Sequence, residues 1–193
     1  MARSAGGTVT FEHSSNSNEH YTPPRFVESA RKVMGSIDLD PASCQAAQSY
    51  IRAAEWCGLD HPDPYYRDGL KVPLSTGHNV FLNPPGGKVK GKRGAQAAHW
   101  WCVYRDIYRQ GRIRSLFFMG FNLSLLRSTQ NTDCPIIASD VQICVPKKRI
   151  RFLTWDGSAW KVGSKPKYDN LIVYCGPNPE GFREETEKYG AGL

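Results

Sequence analysis

The chain has 193 residues, of which 40% are hydrophobic and 11% aromatic; that composition suits one folded domain with an ordinary core and excludes a disordered or low-complexity chain. The formal charge of +7 is compatible with an acidic partner, although mild basicity is common and is weak evidence for nucleic acid on its own. No segment reaches the ~18 consecutive apolar residues of a membrane span and the N-terminus has no apolar signal region, so the expectation is a cytoplasmic protein, neither secreted nor membrane-spanning.

Residues 1–18 are polar and aperiodic and are predicted to form a flexible arm ahead of a single domain over 19–193. A helix is predicted from Pro23 to Gly35, with Thr22 as its N-cap, Pro23 at the first helical position, Gly35 as its stop, and Phe26, Val27, Ala30, Val33 and Met34 on one apolar face. Ile37–Leu39 reads as a short strand that ends on Asp40-Pro41, and a helix follows from Ser43, a candidate cap, to Gly58. The stretch from Leu59 to His78 is rich in Pro, Gly and Asp and reads as a long loop, a length more often functional than idle. "NVFLN" is the second strand.

Ala97, Trp100, Trp101, Tyr104, Ile107 and Tyr108 recur at helical spacing, and Gly111 ends that helix. "RIRSLFFMGF" reads as a strand buried on both faces and "NLSLLRSTQ" as a short helix. "PIIASDVQICVP", "KRIRFLTW" and "NLIVYC" are further strands, the last two read as a hairpin about a turn-rich connection. Helices alternating with strands predict an α/β fold with a mostly parallel sheet and an antiparallel edge hairpin. In such sheets ligands bind beyond the C-terminal ends of the strands, where both "DLDPAS" and "FLNPPGG" fall.

The Asn83-Pro84-Pro85 segment is chemically suggestive. Its prolines fix φ, remove two donors and restrain the residues before them. The Asn83 amide oxygen and the Pro84 carbonyl then form a rigid pair of acceptors for the two hydrogens of an exocyclic amine. A bare Asn-Pro-Pro is more often a stiff strand exit, and only its setting favours the site. Asp40 can accept from a ligand hydroxyl or ammonium, and the N–H groups of the helix after it could receive a carboxylate; a local turn cap is the plainer reading. Lys88, Lys90, Lys92 and Arg93, spaced by glycines, would meet phosphates and favour base extrusion, where most charge runs are merely solvated. The Lys147–Phe152 stretch, "KKRIRF", reads as an amphipathic edge strand. The six cysteines include no C-x-x-C pair and read as buried reduced thiols; no metal site is expected.

"EHYTPP", "IDLDPAS", "DGL", "FLNPPGG" and "KKRIRF", in that order from about Glu19 to about Tyr174, resemble the phage-type DNA N-6-adenine methyltransferase family. The resemblance implies a Rossmann-like methyltransferase fold, S-adenosylmethionine as cofactor, and duplex DNA with a flipped adenine as partner, in the cytoplasm of a bacterial host. Carried over by motif, it implies that Tyr21, Thr22, Pro23, Asp40, Pro41 and Ser43 line the cofactor site, with Asp68 and Leu70 approaching it. It implies that Asn83, Pro84 and Pro85 are catalytic. The family's next position resembles an aromatic that stacks on the base; here it is Gly86, and Phe81, Trp100 and Trp101 are the rings that could substitute. The short chain implies short or loose sequence specificity, read by loops 58–78 and 86–96. A nucleic-acid-binding module without catalysis, a methyltransferase of another amine and a structural phage protein are the alternatives.

Overall fold

A computed structural model of the protein describes residues 20–74, 76–87, 96–164 and 167–193. The predicted arm lies outside them. Helix α1 (Pro24–Met34) begins one residue later than predicted. The residue before a proline is held out of the helical region, so Pro23, at φ −58° and ψ 143°, takes the cap position expected of Thr22. Gly35, at φ +86°, stops the helix with its N–H on the Arg31 carbonyl. Helix α2 (Gln45–Ile51) is capped by Cys44 rather than Ser43, and it ends well short of Gly58. Arg52 turns left-handed at φ 50°, and the chain straightens to pair with β1 (Leu39–Asp40) as β2 (Glu55–Trp56).

A short 3₁₀ turn (Pro64–Tyr66), β3 (His78–Leu82), α3 (Gln96–Arg109), β4 (Ile113–Gly120) and α4 (Ser124–Gln130) follow. Then come β5 (Gln142–Pro146), β6 (Leu153–Trp155), β7 (Trp160–Val162), β8 (Leu171–Cys175), α5 (Pro179–Glu187) and β9 (Gly190–Gly192). The central sheet has the order β2-β1-β3-β4-β8-β5-β9. Strands β2, β1, β3 and β4 are parallel, β8 opposes β4, and β5 and β9 alternate beyond it. The protein is thus a mixed α/β fold with a mostly parallel central sheet and a small antiparallel pair, β6–β7, beside it.

The predicted hairpin is corrected by this register. β8 does not pair with the 148–155 stretch but lies inside the sheet, between β4 and β5. β6 pairs instead with β7, which arises within the segment read as a turn. The five apolar residues of β8 are all buried, which an edge hairpin could not provide. Strand β5 begins only at Gln142, because residues 136–140 fold as bends and a turn.

Alternate residues of the strands face two separate cores. Val80, Leu82, Leu116, Phe118, Leu171 and Val173 pack with Trp101 and Tyr104 of α3 and Leu125 of α4. Phe81, Phe117, Met119, Ile172 and Tyr174 pack with α1, with Ala47 and Ile51 of α2 and with Phe182 of α5. Each wholly buried side chain of this size contributes about 1.5–3 kcal/mol. Helices therefore cover both faces, and the loops at the sheet's two ends remain free for other work. Among the described residues no helix is long and apolar enough to cross a membrane.

Candidate active site

The parallel strands end together at one edge of the sheet. There β1 finishes on Asp40, β2 on Trp56, β3 runs into Asn83-Pro84-Pro85, and β4 runs into Phe121. Residues 20–22 cross this edge as a strap. Asn83 Nδ2 donates to the His20 carbonyl at 2.8 Å. The Tyr50 hydroxyl of α2 donates to the Thr22 carbonyl at 2.9 Å. Tyr21 and Leu153 exchange backbone hydrogen bonds at 2.9 and 2.7 Å. The strap thus joins β3, α2 and the β6–β7 hairpin. The motifs around Tyr21, Asp40 and Asn83, distant in sequence, are neighbours here.

Three buried polar atoms at this edge have no hydrogen-bond partner among the described residues: Thr22 Oγ1, Asp40 Oδ1 and Asn83 Oδ1. Buried polar atoms are normally paired, and leaving one unmade costs about 1–3 kcal/mol. The Asn83 orientation is fixed, because the His20 carbonyl can only accept and must face the NH₂. Its oxygen is therefore the free atom. Next to it, Pro84 is buried and Pro85 exposed. Among the described residues, no backbone N–H outside the helices and strands donates to the Pro84 carbonyl. Both acceptors expected from the Asn-Pro-Pro motif are present, and the Asn83 oxygen has no partner among the described residues.

Asp40 is 1% exposed. Its Oδ2 accepts from Gln48 Nε2 at 3.2 Å, and Gln48 also donates to Ser43 Oγ at 2.7 Å. Burial pushes the Asp40 carboxyl up to about 7, against weaker pulls from the Ser43 hydroxyl, the Ala42 N–H and the Gln48 amide. Oδ1 itself has no hydrogen-bond partner among the described residues. A carboxyl in this state is recharged by an arriving cation or strong donor.

Asp68 and Leu70 take supporting positions. A Cβ on Gly69 would sit 1.9 Å from the Pro41 carbonyl oxygen, so the "DGL" turn seats directly against the Asp40-Pro41 exit. The Tyr104 hydroxyl of α3 clamps it through the Gly69 carbonyl at 2.6 Å. Leu70 packs against the α3-side core. The Asp68 carboxylate accepts from the Leu70 N–H at 3.1 Å and from Lys71 Nζ at 2.8 Å. The Lys71 ammonium beside it holds its pKa below the usual carboxylate range.

Two of the helical N–H groups expected to be free after Asp40 are already engaged. Gln45 N–H donates to Asp60 Oδ2 at 2.9 Å and Ala47 N–H to Cys44 Sγ at 3.5 Å. The substitute rings are also corrected. Phe81 and Trp101 are fully buried, and Trp100 stacks on Tyr104 in the core at 6.1 Å. Trp101 spends its N–H on the Cys134 carbonyl. The rings at the site are others. His20, Phe121 and Phe152 cluster beside Asn83, with centroids 4.8–6.2 Å apart. Trp56, in register with Asp40, packs on His61 at 4.4 Å, and His61 on Tyr66 at 4.9 Å. Tyr21 and Tyr50 flank Trp160 at 5.1 and 5.3 Å. Trp56 was hidden because it reads as part of the α2 apolar face. Phe121 and His20 carry no periodic signal, and only the topology brings them to Asn83.

Beyond Pro85, a Cβ on Gly86 would meet nothing within 4 Å. Gly87, at φ +96°, needs its glycine for the turn. Lys88, Lys90, Lys92 and Arg93 lie outside the described residues. A cavity of about 300 Å³ lies at the opposite end of the sheet, lined by Lys32, Asn79, Arg114, Ser115 and Asn178 among others. Its Asn79 and Asn178 amides and Ser115 hydroxyl are hydrogen-bonded to the protein. The unused acceptors, not the cavity, therefore locate the candidate site. Among the described residues, no cluster of His, Cys, Asp and Glu could hold a metal ion. Comparison of the chain with protein-family models, curated proteins and solved structures finds no match.

Proposed function

We propose that the chain is an S-adenosylmethionine-dependent methyltransferase with a Rossmann-like fold, acting on the exocyclic amine of adenine in DNA. The observation that carries this reading is the set of unpartnered atoms on Thr22, Asp40 and Asn83, one from each of three motifs, at a single sheet edge. A ligand ammonium fits Asp40, which then becomes fully charged. The nearby Trp56, His61 and Tyr66 rings suit a planar heterocycle. These features fit the cofactor, which when bound supplies a methyl group on a positively charged sulfur, already activated for transfer.

The protein's share is alignment. Asn83 Oδ1 and the Pro84 carbonyl each take one hydrogen of the target amine. Its nitrogen lone pair is thereby turned toward the Asp40 side of the edge. Pro85 stiffens the pair, and the strap over the site excludes water. Positioning of this kind is worth several kcal/mol of barrier. Label transfer from S-adenosylmethionine to DNA, by wild type and by Asn83→Ala, followed by nucleoside mass analysis, tests the reading. N-6-methyladenine from wild type and background from the variant are expected. Absence of transfer to DNA by wild type sinks it.

Gly86 favours a second reading, a nucleic-acid-binding protein of this fold without catalysis, because no ring follows the Asn-Pro-Pro motif. Tight DNA binding with no label transfer in the same assay selects it.

A further inference from the structure

The β6–β7 pair belongs to an insertion, residues 147–170, that leaves β5 and returns as β8. β8 opposes β4 and β5 opposes β8, so β5 ends and β8 begins at the edge where Asp40 and Asn83 lie. Among the described residues the pair forms no strand pairing with the central sheet. It is joined instead to the strap, through Tyr21 and Leu153. It therefore overhangs the candidate site and is mechanically continuous with the segment that holds Asn83.

Its charge is unlike the rest of the protein. From Lys147 to Asp169 the sequence carries seven Lys and Arg against two Asp, a surplus of five in a chain whose total is +7. Both aspartates are matched: Asp156 by Lys161 at 2.6 Å, and Asp169 by Arg149 at 2.7 Å. Lys147, Lys148 and Arg151 are exposed and make no ion pair among the described residues. Aromatic groups interleave with the cations. Trp155 and Trp160 are half-buried, packed together at 4.8 Å, and Tyr168 is 50% exposed beneath Lys167. Unpaired cations on the irregular segment that leads into this strand pair, with rings close by in sequence, are what a phosphate backbone requires.

We propose that the insertion is the element that grips the DNA backbone, with Lys147, Lys148 and Arg151 as phosphate contacts, seating the duplex over Asn83. The choice of DNA rests on the proposed function. The surface itself requires only a polyanion. Phosphate contacts position without reading sequence, so this grip serves a site of loose specificity.

The test is fluorescence anisotropy of labelled duplex DNA across a salt series. Wild type is compared with Lys147→Gln/Lys148→Gln/Arg151→Gln and with Arg112→Gln/Arg114→Gln. The latter pair carries exposed cations at the opposite sheet edge. The triple variant should bind on the order of 10-fold more weakly at 150 mM salt, with a log–log slope shallower by roughly 0.9 per lost contact. The control should bind as wild type, and both should give unchanged calorimetric binding of S-adenosylmethionine. A triple variant that binds like wild type, or a control that weakens equally, overturns this assignment and leaves the methyltransferase reading intact. Selective loss in the triple variant, with no methyl transfer by wild type, supports the grip and overturns that reading instead. Tighter binding of an RNA of equal length than of the duplex overturns DNA as the partner.

Discussion

The two ends of the central sheet handle polar groups in opposite ways. At the start of β3, Asn79 is 7% exposed and its side chain is engaged at both ends. Its oxygen accepts from Ser115 at 2.8 Å, while its NH₂ donates to Ser36 at 2.9 Å and to the Met34 carbonyl at 3.2 Å. Its backbone N–H donates to Asp38 at 2.8 Å. Just beyond the other end of the same strand, Asn83 has one engaged group and one idle oxygen, beside idle atoms on Thr22 and Asp40. The first end is not perfect, since His78 Nδ1 there is also unpartnered. Even so, the contrast between an asparagine on β3 and one just past its end separates a network that holds the fold from the one proposed to receive a ligand.

Truncating each asparagine tests that contrast most severely. Asn83→Ala is expected to lower methyl transfer by roughly 10²-fold or more through lost positioning, with a melting temperature close to wild type. Asn79→Ala should do the reverse. It strands the Ser115 hydroxyl and the Met34 carbonyl, so the expected loss is roughly 2–6 kcal/mol at about 1–3 per buried group, with near-normal turnover per folded molecule. Equal thermal losses in both variants would erase the distinction between the two ends.

The next largest effect is expected at Gly69. An added methyl would collide with the Pro41 carbonyl, and backbone cannot yield as a side-chain tip does. Gly69→Ala should cost about 2–3 kcal/mol and weaken cofactor binding, as measured by denaturant titration and calorimetry. An unperturbed variant would mean that the "DGL" turn does not brace the Asp40 side of the site.

Much of this was legible in the sequence, for identifiable reasons. α1, α3 and α4 announced themselves by spacing and by stops such as Gly35 and Gly111, and β3 and β4 by apolar runs. The strand exits that carry Asp40 and Asn83 were marked by the prolines after them. What was hidden was tertiary. β2 has two residues and no period, and β9 is Gly-Ala-Gly. The neighbour of β8 was decided by its double-sided burial, not by its nearness in sequence to β6. The rings at the site lie in turns or strand ends, where no spacing rule points.

Asp40 carries the contrast into pH. Burial raises its folded pKa to about 7 from the ordinary 3.8, so the folded state binds more protons than the unfolded state between those values. Stability contributed by this group is therefore greatest below about pH 4, falls as pH rises to about 7 and is flat above. Asp40→Asn should stabilise the free protein at pH 8 and change little at pH 4. The same variant should lose most of its affinity for a cationic ligand. In wild type, that affinity should rise through pH 6–8 as the carboxylate ionises. Thermal scans and calorimetry at matched pH check both halves. Wild-type affinity that is flat with pH would remove Asp40 from the ligand's contacts.

The smallest expected effect concerns Gly86, and it bears on how the unused end would complete its pocket. A side chain there meets open space among the described residues, and its backbone is not in the left-handed region that requires glycine. Gly86→Tyr should leave stability within about 0.5 kcal/mol. A stacked ring is worth about 0.5–1.5 kcal/mol, which predicts a KM for DNA lower by up to about 10-fold with kcat nearly unchanged. The His20–Phe121–Phe152 cluster offers a competing outcome, in which the Phe121 ring already occupies the face of the base. In that case Gly86→Tyr raises KM by crowding, and adding Phe121→Ala to the same chain restores it. The single and double variants together therefore distinguish a site that lacks its ring from one that has moved it from β3 to the end of β4. If neither substitution alters KM, no ring at this edge meets the base.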